Sequence, residues 1–300
     1  MDKVKCEALI AAAEGGSMSA AAAQMGYTQP GITRMIDALE DELGFALLLR
    51  TKKGVSLTPN GERMLPFFRE IIRTQRMAEE TGASIRGVLS GVLTIGCYFS
   101  VSSMLLPEVL HSFLSDFPGV QIILKEGTNA ELSDMLRDHS VDFCFAAKPS
   151  AQTPCEWIPI LEDELNVWLP GDHPDAGKTR FPVTSLADHP FIMIQPGSDT
   201  DLDRVFLNAG VHPDIHFVTK DAYSAWRMVE AGLGISLNQR LISRDWNGQV
   251  VTLPFDPPQY VHLGIAIPSL RDASPAAKKF IEYILRIIRK DEEKQPLFGL

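Results

Sequence analysis

Residues 17–50 read SMSAAAAQMGYTQPGITRMIDALEDELGFALLLR, and this stretch decides the fold. We expect Ser19 to cap a first, alanine-rich helix that ends at Gly26, because a serine hydroxyl accepts a first-turn N–H and glycine adopts the left-handed exit. Thr28 then caps a second helix, which ends at Gly44. Two short helices joined by a tight turn are typical of a helix-turn-helix that reads DNA.

The second helix has an apolar and a polar face. Apolar side chains recur at helical spacing, at Ile32, Met35, Ile36, Leu39 and Leu43. The polar positions outside this face are Gln29, Thr33, Arg34 and Asp37. Residues near the N-terminus of a recognition helix reach base edges in the major groove, so we expect the polar face to meet DNA. The run 40–42, which is Glu-Asp-Glu, is interpreted as a solvated face that points away from DNA.

A hairpin is predicted directly after the second helix. Residues 46–50 and 55–57 read as short strands around the turn Thr51-Lys-Lys-Gly54. The two lysines at its tip, Lys52 and Lys53, are expected to lie against DNA phosphates. The whole unit is therefore predicted to be a winged helix-turn-helix.

The order of these motifs resembles the N-terminus of LysR-type transcriptional regulators. The matching segments are Glu14-Gly-Gly-Ser-Met-Ser-Ala-Ala-Ala, Thr28-Gln-Pro-Gly-Ile-Thr-Arg, Leu39-Glu-Asp-Glu-Leu-Gly, Leu48-Leu-Arg-Thr and Leu57-Thr-Pro-Asn-Gly-Glu62. The resemblance implies that five of their residues contact double-stranded DNA: Gln29, Pro30, Thr33, Arg34 and Arg50. Asp37 departs from the family pattern, in which many members carry a basic residue. Its carboxylate either reads a cytosine amino group or shifts the docking angle, and both interpretations stay open.

The resemblance extends more loosely over nearly all of the chain. It implies an α/β protein with a winged helix-turn-helix DNA-binding domain at 1–58, a long linker helix at 59–89, and a two-lobed α/β effector-binding domain at 90–300 that resembles periplasmic binding proteins. Lobe I is expected at about 90–148 and 268–300, and lobe II at about 149–267.

An apolar stripe runs along the predicted linker helix and must be buried somewhere. Its members are Met64, Phe67, Phe68, Ile71 and Ile72. It either packs on its own domain or pairs with the linker helix of a second copy. The resemblance favours a homodimer, and tetramers are common in the family. Such an assembly would present two copies of the DNA-reading unit to two half-sites.

From Ser90 onward the pattern alternates between strands and helices, which predicts a parallel sheet. Strands are predicted at 92–97, 120–126, 141–146, 165–169, 191–194, 216–219, 234–237 and 261–267, and helices at 103–116, 130–139 and 275–290. Crossings between the lobes are expected near 147–149 and 266–268, and these are candidate hinges.

Four predicted strand-to-helix junctions carry small hydroxyl or amide side chains. In such sheets ligands bind beyond the carboxyl ends of the strands, where helix N-termini offer free N–H groups. Helix capping explains any single one of these residues, whereas four junctions at one cleft favour an effector site. The candidate effector-binding residues are Ser100, Ser102, Ser103, Thr128, Asn129, Gln195, Thr200 and Thr219, with Lys148 as a cation at one hinge. An organic anion would suit the helix dipoles, although Glu126 and Asp221 would repel it, so the effector chemistry stays open.

Composition and charge narrow the function. Residues 1–87 hold 11 Lys or Arg against 11 Asp or Glu, so the net charge of −10 lies in residues 88–300. A neutral DNA-binding part must rely on local basic clusters and on dimerisation. No apolar segment approaches the roughly 20 residues that span a bilayer. Glu7 and Glu14 interrupt the N-terminal apolar run, so no membrane anchor or signal peptide is expected and a cytoplasmic location follows.

Other chemistries lack a sequence signal. The four cysteines form no C-x-x-C pair, and none lies in 195–215, where peroxide-sensing members of the resembled family carry a cysteine pair. Pro213 separates His212 from His216, so no metal site is expected, and no cofactor is implied. No G-x-G-x-x-G, P-loop, G-x-S-x-G or H-E-x-x-H motif indicates an enzyme. The alternative that we keep is a two-lobed small-molecule binding protein that does not read DNA.

Overall fold

The computed structural model describes residues 1–51, 54–149, 153–195 and 200–294. Its N-terminal part consists of three helices, a hairpin and a long helix. These elements are α1 (Lys3–Glu14), α2 (Met18–Met25), α3 (Gln29–Leu43), β1 (Leu48–Thr51), β2 (Gly54–Leu57) and α4 (Pro59–Ile85). The predicted winged helix-turn-helix and long linker helix are therefore confirmed as elements of the fold.

Helix α2 begins two residues earlier than predicted, because its N-cap is Ser17 and not Ser19. The Ser17 hydroxyl accepts the N–H of Ala20 at 3.1 Å. The cap of α3 is correctly predicted, since the Thr28 hydroxyl accepts the N–H of Gly31 at 3.3 Å. Both caps satisfy an N–H that has no partner within its helix.

One apolar core joins α1, α2 and α3 to the first half of α4. Ala21 and Ala22 let α2 approach its neighbours closely, and Phe68 of α4 is fully buried among them. In contrast, Phe67 on the same helix is 63% exposed. The apolar stripe of the linker helix is thus divided: one side packs on its own module, and the other faces outward.

The remaining elements form an α/β region. They are β3 (Gly91–Cys97), a π-helical turn (Val101–Leu105), α5 (Leu106–Asp116), β4 (Val120–Glu126), α6 (Asn129–Arg137), β5 (Phe143–Ala147), β6 (Glu156–Pro170), β7 (Phe181–Pro182), a 3-10 turn (Val183–Asp188), β8 (Pro190–Ile194), α7 (Asp201–Ala209), β9 (Asp214–Thr219), α8 (Ala222–Glu230), β10 (Ser236–Gln239), α9 (Arg240–Ser243), β11 (Val250–Asp256), β12 (Tyr260–Ile267) and α10 (Pro275–Lys294). The predicted strands and helices are present within a few residues. The first half of β6, β7, β11 and the short α9 were not predicted.

The main sheet is mixed, so the prediction of a parallel sheet is only partly correct. Its strands follow the order β4-β3-β5-β12-β6-β11-β7, with β10 also paired to β6, while β8 and β9 form a separate parallel pair. Strand β3 is parallel to β4 and β5, whereas β12 is antiparallel to β5 and β6. The first half of β6 pairs with β12, and its second half pairs with β10 and β11. The long strand β6 therefore links the part of the sheet that contains β12 to the part that contains β10 and β11.

Helix α10 returns to the first strands of the region, as expected. The ring of its Phe280 lies 4.9 Å from the ring of Phe113 in α5, in an edge-to-face contact. A second aromatic group stabilises the far end of the sheet, where Trp168 of β6 lies 5.2 Å from Trp226 and 5.7 Å from Trp246.

Arg69 of α4 connects three parts of the chain. Its guanidinium donates to the carboxylate of Glu14 at the end of α1, at 3.0 Å, and forms a short ion pair with Asp138, which follows α6. Further along α4, Arg76 pairs with Asp142 just before β5. Ion pairs thus attach the linker helix to the α/β region of the same chain.

Candidate nucleic-acid interface and ligand cleft

The first turns of α3 present an exposed polar surface. Gln29, Pro30 and Arg34 are exposed, and Thr33 is partly exposed, with its hydroxyl donating to the carbonyl of Gln29 at 3.0 Å. No hydrogen bond or ion pair joins Arg34 to another residue within the described part of the chain. The structure therefore brings together four of the seven predicted DNA-contacting residues on one helix, with the guanidinium of Arg34 unpaired.

Arg50, a fifth predicted residue, has partners. Its Nη2 donates to the Asp37 carboxylate at 2.5 Å and to the Glu40 carboxylate at 3.1 Å. Glu40 also accepts the N–H groups of Leu47 and Leu48, at 2.6 and 3.0 Å. The interpretation of Glu40 as part of a solvated face is therefore wrong, because this carboxylate fixes the start of β1 against α3. Its neighbours at 41 and 42 are exposed, as predicted.

The hairpin has the predicted position. Strands β1 and β2 pair from Leu48 opposite Leu57 to Thr51 opposite Gly54. The predicted phosphate contacts Lys52 and Lys53 lie outside the described residues.

A cavity of about 450 Å³ opens where β3, β4, β8 and β10 end near the N-termini of α6, α7 and α8. We call it the cleft, and its lining residues are Tyr98, Phe99, Ser100, Glu126, Gly127, Thr128, Asn129, Glu131, Ile194, Gln195, Thr200, Asp201, Leu202, Lys220, Asp221, Ala222, Asn238, Gln239 and Ile242. A cavity of this size suits a small molecule.

Five of the nine candidate effector-binding residues line the cleft: Ser100, Thr128, Asn129, Gln195 and Thr200. Thr128 and Thr200 also cap α6 and α7, and each cap is reinforced by an acidic side chain three residues later. Helix capping and cleft lining are therefore compatible roles for these residues.

The other four candidates lie outside this lining. The hydroxyls of Ser102 and Ser103 turn back to the carbonyl of Phe99, at 3.1 and 2.6 Å. Thr219 accepts the N–H of Asp221 through its side chain at 3.2 Å. The ammonium of Lys148 lies 5.9 Å from the ring centre of Trp157, in a different groove. A position near a strand end does not by itself turn a side chain into the cavity.

Sequence reasoning missed Lys220, Asn238, Gln239 and Asp201. A signal was available for two of them, because the amides of Asn238 and Gln239 follow the predicted strand 234–237 as other candidates follow theirs. Gln239 is buried and hydrogen-bonded to two other lining residues. It accepts a hydrogen bond from Ser100 at 2.7 Å and donates one to Asp201 at 3.0 Å.

Four carboxylates line the cleft, and each accepts a hydrogen bond from the chain itself. Glu126 accepts from Ser102 at 2.6 Å, and Glu131 accepts the backbone N–H of Thr128 at 2.8 Å. Asp201 accepts from Gln239, and Asp221 caps α8 by accepting the N–H of Ser224 at 2.7 Å. Lys220 is the lining lysine, and it is exposed, without an ion pair to any described residue.

Beside the cleft, burial raises the pKa of Asp163 to about 6 from 3.8, because desolvation disfavours the charged carboxylate. The N–H of Leu241 donates to this carboxyl at 3.2 Å and opposes the shift. Asp163 is only 4% exposed. Its charge at neutral pH is therefore destabilising.

We expect Asp163→Asn to stabilise the protein near pH 8 by about 1–2 kcal/mol, after allowing for a weaker hydrogen bond from Leu241. The pKa of Asp163 is higher in the folded protein than in the unfolded chain. Its contribution to the free energy of unfolding is therefore complete below about pH 4 and is lost as the pH rises through about 6. Thermal unfolding at several pH values measures this. The control is Glu164→Gln, which alters a carboxylate paired with Arg180 at 3.9 Å. Equal stabilisation at pH 5 and pH 8 would contradict a buried-charge origin.

The described residues lack two features that other functions need. They contain no group of three or more His, Cys, Asp or Glu side chains arranged to hold a metal ion. None of their helices is both long and apolar enough to cross a membrane.

Two family models match the chain. Residues 5–62 match the bacterial regulatory helix-turn-helix protein of the lysR family, and residues 86–288 match the LysR substrate binding domain. Between the two matches lies most of α4.

Curated relatives cover most of the chain. This chain is 29% identical over 273 residues to the HTH-type transcriptional regulator YvbU of Bacillus subtilis. The aligned region covers 90% of this chain and 93% of YvbU. The chain is 29% identical over 234 residues to the DNA-binding transcriptional dual regulator OxyR of Escherichia coli, covering 77% of this chain and 76% of OxyR.

Solved structures share the whole fold. A full-length OxyR variant from Pseudomonas aeruginosa has a TM-score of 0.76 at 23% identity, covering 96% of this chain and 95% of its own. Full-length CbnR complexed with its target DNA has a TM-score of 0.67 at 23% identity, covering 95% of this chain and 99% of its own.

Proposed function

The chain belongs to the LysR family of transcriptional regulators, and on that premise we propose which of its residues read DNA and which bind its effector. It is a DNA-binding regulator that has an effector-binding domain. The protein forms oligomers, and it is not an enzyme. The alternative of a binding protein without DNA-reading function is not supported, since the helix-turn-helix model matches residues 5–62.

The exposed first turns of α3 are the proposed sequence-reading surface. The observation that carries this proposal is the guanidinium of Arg34, which is exposed and unpaired among the described residues beside Gln29 and Thr33. Arginine and glutamine side chains make bidentate contacts to guanine and adenine edges in the major groove. Pro30 shapes the helix start, and Arg50, Lys52 and Lys53 are proposed phosphate contacts.

The cleft is the proposed effector site, with Ser100, Thr128, Asn129, Gln195 and Thr200 as contacts. We keep an organic anion as the proposed effector class. Lys220 offers it an unpaired ammonium, and each lining carboxylate is already hydrogen-bonded to the chain. Ligand binding at the cleft would change DNA affinity, and DNA binding would change ligand affinity by the same factor.

A cysteine-based response is a poor fit to these residues. Burial raises the pKa of Cys97 to about 12 and raises that of Cys144 further, so their reactive thiolate forms are suppressed. We therefore propose that this regulator responds to ligand binding and not to thiol oxidation.

We also propose the domain division 1–58, 59–89 and 90–300, which agrees with an α4 that runs from 59 to 85 and a β3 that starts at Gly91. Phe67 and Ile85 on α4 are 63% and 82% exposed. A second copy of α4 would cover them, so we propose that the linker helices form the dimer contact. The proposed location is the cytoplasm, where the regulator reaches DNA.

The test of the DNA-reading function is fluorescence anisotropy with duplexes taken from around the coding region, repeated at several salt concentrations. Tight binding to one pseudo-palindromic duplex is expected. Equal, weak binding to all duplexes that vanishes with salt would mean only phosphate attraction and would overturn the proposal.

Lys220→Ala should abolish the effector-induced change in operator affinity while leaving effector-free binding unchanged, because Lys220 lines the cleft and pairs with no described residue. The measurement is operator anisotropy with and without a carboxylate ligand found by thermal-shift screening. Lys148→Ala is the matched control, since Lys148 is an exposed lysine outside the cleft. Equal responses of both variants would move the anion site away from Lys220.

A further inference from the structure

The side chains of Asp37 and Glu40 share one nitrogen of Arg50. Both acids lie on α3, three residues apart, and Arg50 lies on β1. The distances from Nη2 to the two carboxylates are 2.5 and 3.1 Å. The cluster joins two carboxylates to one guanidinium, beside the proposed DNA-reading surface.

The two acids do not have the same role. The side chain of Glu40 is 17% exposed and also holds the backbone of Leu47 and Leu48, so it stabilises the fold. The Asp37 side chain is 48% exposed, and its only bond to a described residue is the one to Arg50. Asp37 can therefore be replaced without disturbing the strand.

The shared nitrogen determines what Arg50 can still offer to DNA. A guanidinium binds a phosphate most strongly through two parallel N–H groups. It has two edges that can do this, one formed by Nε and Nη2 and the other by Nη1 and Nη2, and each edge uses one hydrogen of Nη2. With one Nη2 hydrogen given to Asp37 and the other to Glu40, neither edge is complete. Arg50 then retains one N–H on Nε and two on Nη1, which cannot complete either forked edge and make weaker phosphate contacts.

We propose that Asp37 is a positioning residue: by holding Arg50 against α3, it denies this arginine a bidentate phosphate contact and lowers the affinity of the protein for DNA of any sequence. The proposal rests on the proposed DNA-reading function. Phosphate contacts add affinity for every sequence, whereas base contacts of Gln29 and Arg34 separate the operator from other DNA. Restraining Arg50 therefore weakens binding to the operator and to other DNA by about the same factor.

The departure of Asp37 from the basic residue that the family resemblance implies thus acquires a third interpretation. Its carboxylate is directed at a protein cation and not at a cytosine. The module already balances 11 basic against 11 acidic residues in 1–87, so it has little general attraction for DNA to begin with. One restrained arginine is a large fraction of its phosphate-binding capacity.

The test compares Asp37→Ala with Asp41→Ala in the full-length protein. Asp41 is exposed on the same helix and has no bond to any described residue, so its variant removes the same charge without releasing Arg50. Both are titrated by anisotropy against the operator duplex and a scrambled duplex over a series of salt concentrations. Each variant is also made in an Arg50→Gln background.

Asp37→Ala should strengthen binding to the scrambled duplex by up to about eightfold per module near 0.1 M salt and steepen the salt dependence by up to about 0.9, the values for one full phosphate contact. Operator affinity should rise by about the same factor, so the ratio of the two affinities should stay nearly constant. Asp41→Ala should change both duplexes slightly and equally. In the Arg50→Gln background the effect of Asp37→Ala should shrink to that of Asp41→Ala.

An effect of Asp37→Ala that persists without Arg50, or that equals the effect of Asp41→Ala throughout, would overturn the proposal. If the wild-type protein separates the operator from the scrambled duplex in that experiment, the DNA-reading function stands and only the role of Asp37 falls. If the wild-type protein does not separate them, both fall.

Discussion

Arg34→Ala should remove most of the preference of this regulator for its operator. A bidentate contact between arginine and guanine discriminates by about 1–3 kcal/mol, and a dimer uses it in both half-sites, so about 2–6 kcal/mol of specific binding should be lost. Anisotropy against operator and scrambled duplexes measures the loss. Binding to the scrambled duplex should fall much less, since Arg34 is proposed to read bases.

The matched control for this variant is Arg63→Ala. Arg63 is an exposed arginine in the first turns of α4, and no described residue pairs with it. The Arg63→Ala variant removes the same charge as Arg34→Ala, but at a position on α4 and not on α3. Equal losses on both duplexes with Arg34→Ala would make Arg34 a phosphate contact, and the sequence-reading surface would have to lie elsewhere.

Gly61→Ala should unfold or strongly destabilise the DNA-binding module. A Cβ atom at this position in the first turn of α4 would lie 2.3 Å from the backbone carbonyl oxygen of Leu47 and 3.0 Å from the Leu57 side chain. No rotamer relieves a clash between Cβ and backbone, so a cost of about 3 kcal/mol or more is expected, at the upper end of overpacking effects. Thermal unfolding and operator binding measure it.

The same helix supplies the control. A Cβ atom at Gly82 meets only the Arg86 guanidinium, at 3.7 Å, which is ordinary van der Waals contact. Gly82→Ala should therefore stabilise α4 by up to about 1 kcal/mol, because alanine is the better helix former. If both alanine variants had the same stability, close approach at Gly61 would not be the reason for its place in the Thr58-Pro-Asn-Gly motif.

The N-terminal module was predictable because its signals are local. Gly26 and Gly44 have φ of 71° and 79°, as left-handed helix ends require, and Thr28 caps the helix that it precedes. Local signals fail where two similar residues compete. Ser17 and Ser19 are both suitable caps by residue type, and the helix uses Ser17.

The α/β region was harder to predict because distant contacts decide it. Residues 162–164 of β6 read Glu-Asp-Glu, which resembles a loop, yet Asp163 is buried and accepts the N–H of Leu241, 78 positions away. The same limit applies to the cleft. Ser102 and Ser100 look alike in sequence, but the Ser100 hydroxyl donates to the Gln239 side chain, whereas that of Ser102 lies against the carbonyl of Phe99 and the carboxylate of Glu126.

The ion pairs of Arg69 have a practical consequence for building biosensors from this chain. A chimaera that grafts a foreign ligand-sensing half onto the first 89 residues would keep Glu14 and lose Asp138. Arg69, whose side chain is 14% exposed, would then hold one acid instead of two. Successful hybrids should therefore be sought among donors that carry a carboxylate after the helix equivalent to α6. In such a hybrid Arg69 would still pair with one acid from each half of the protein.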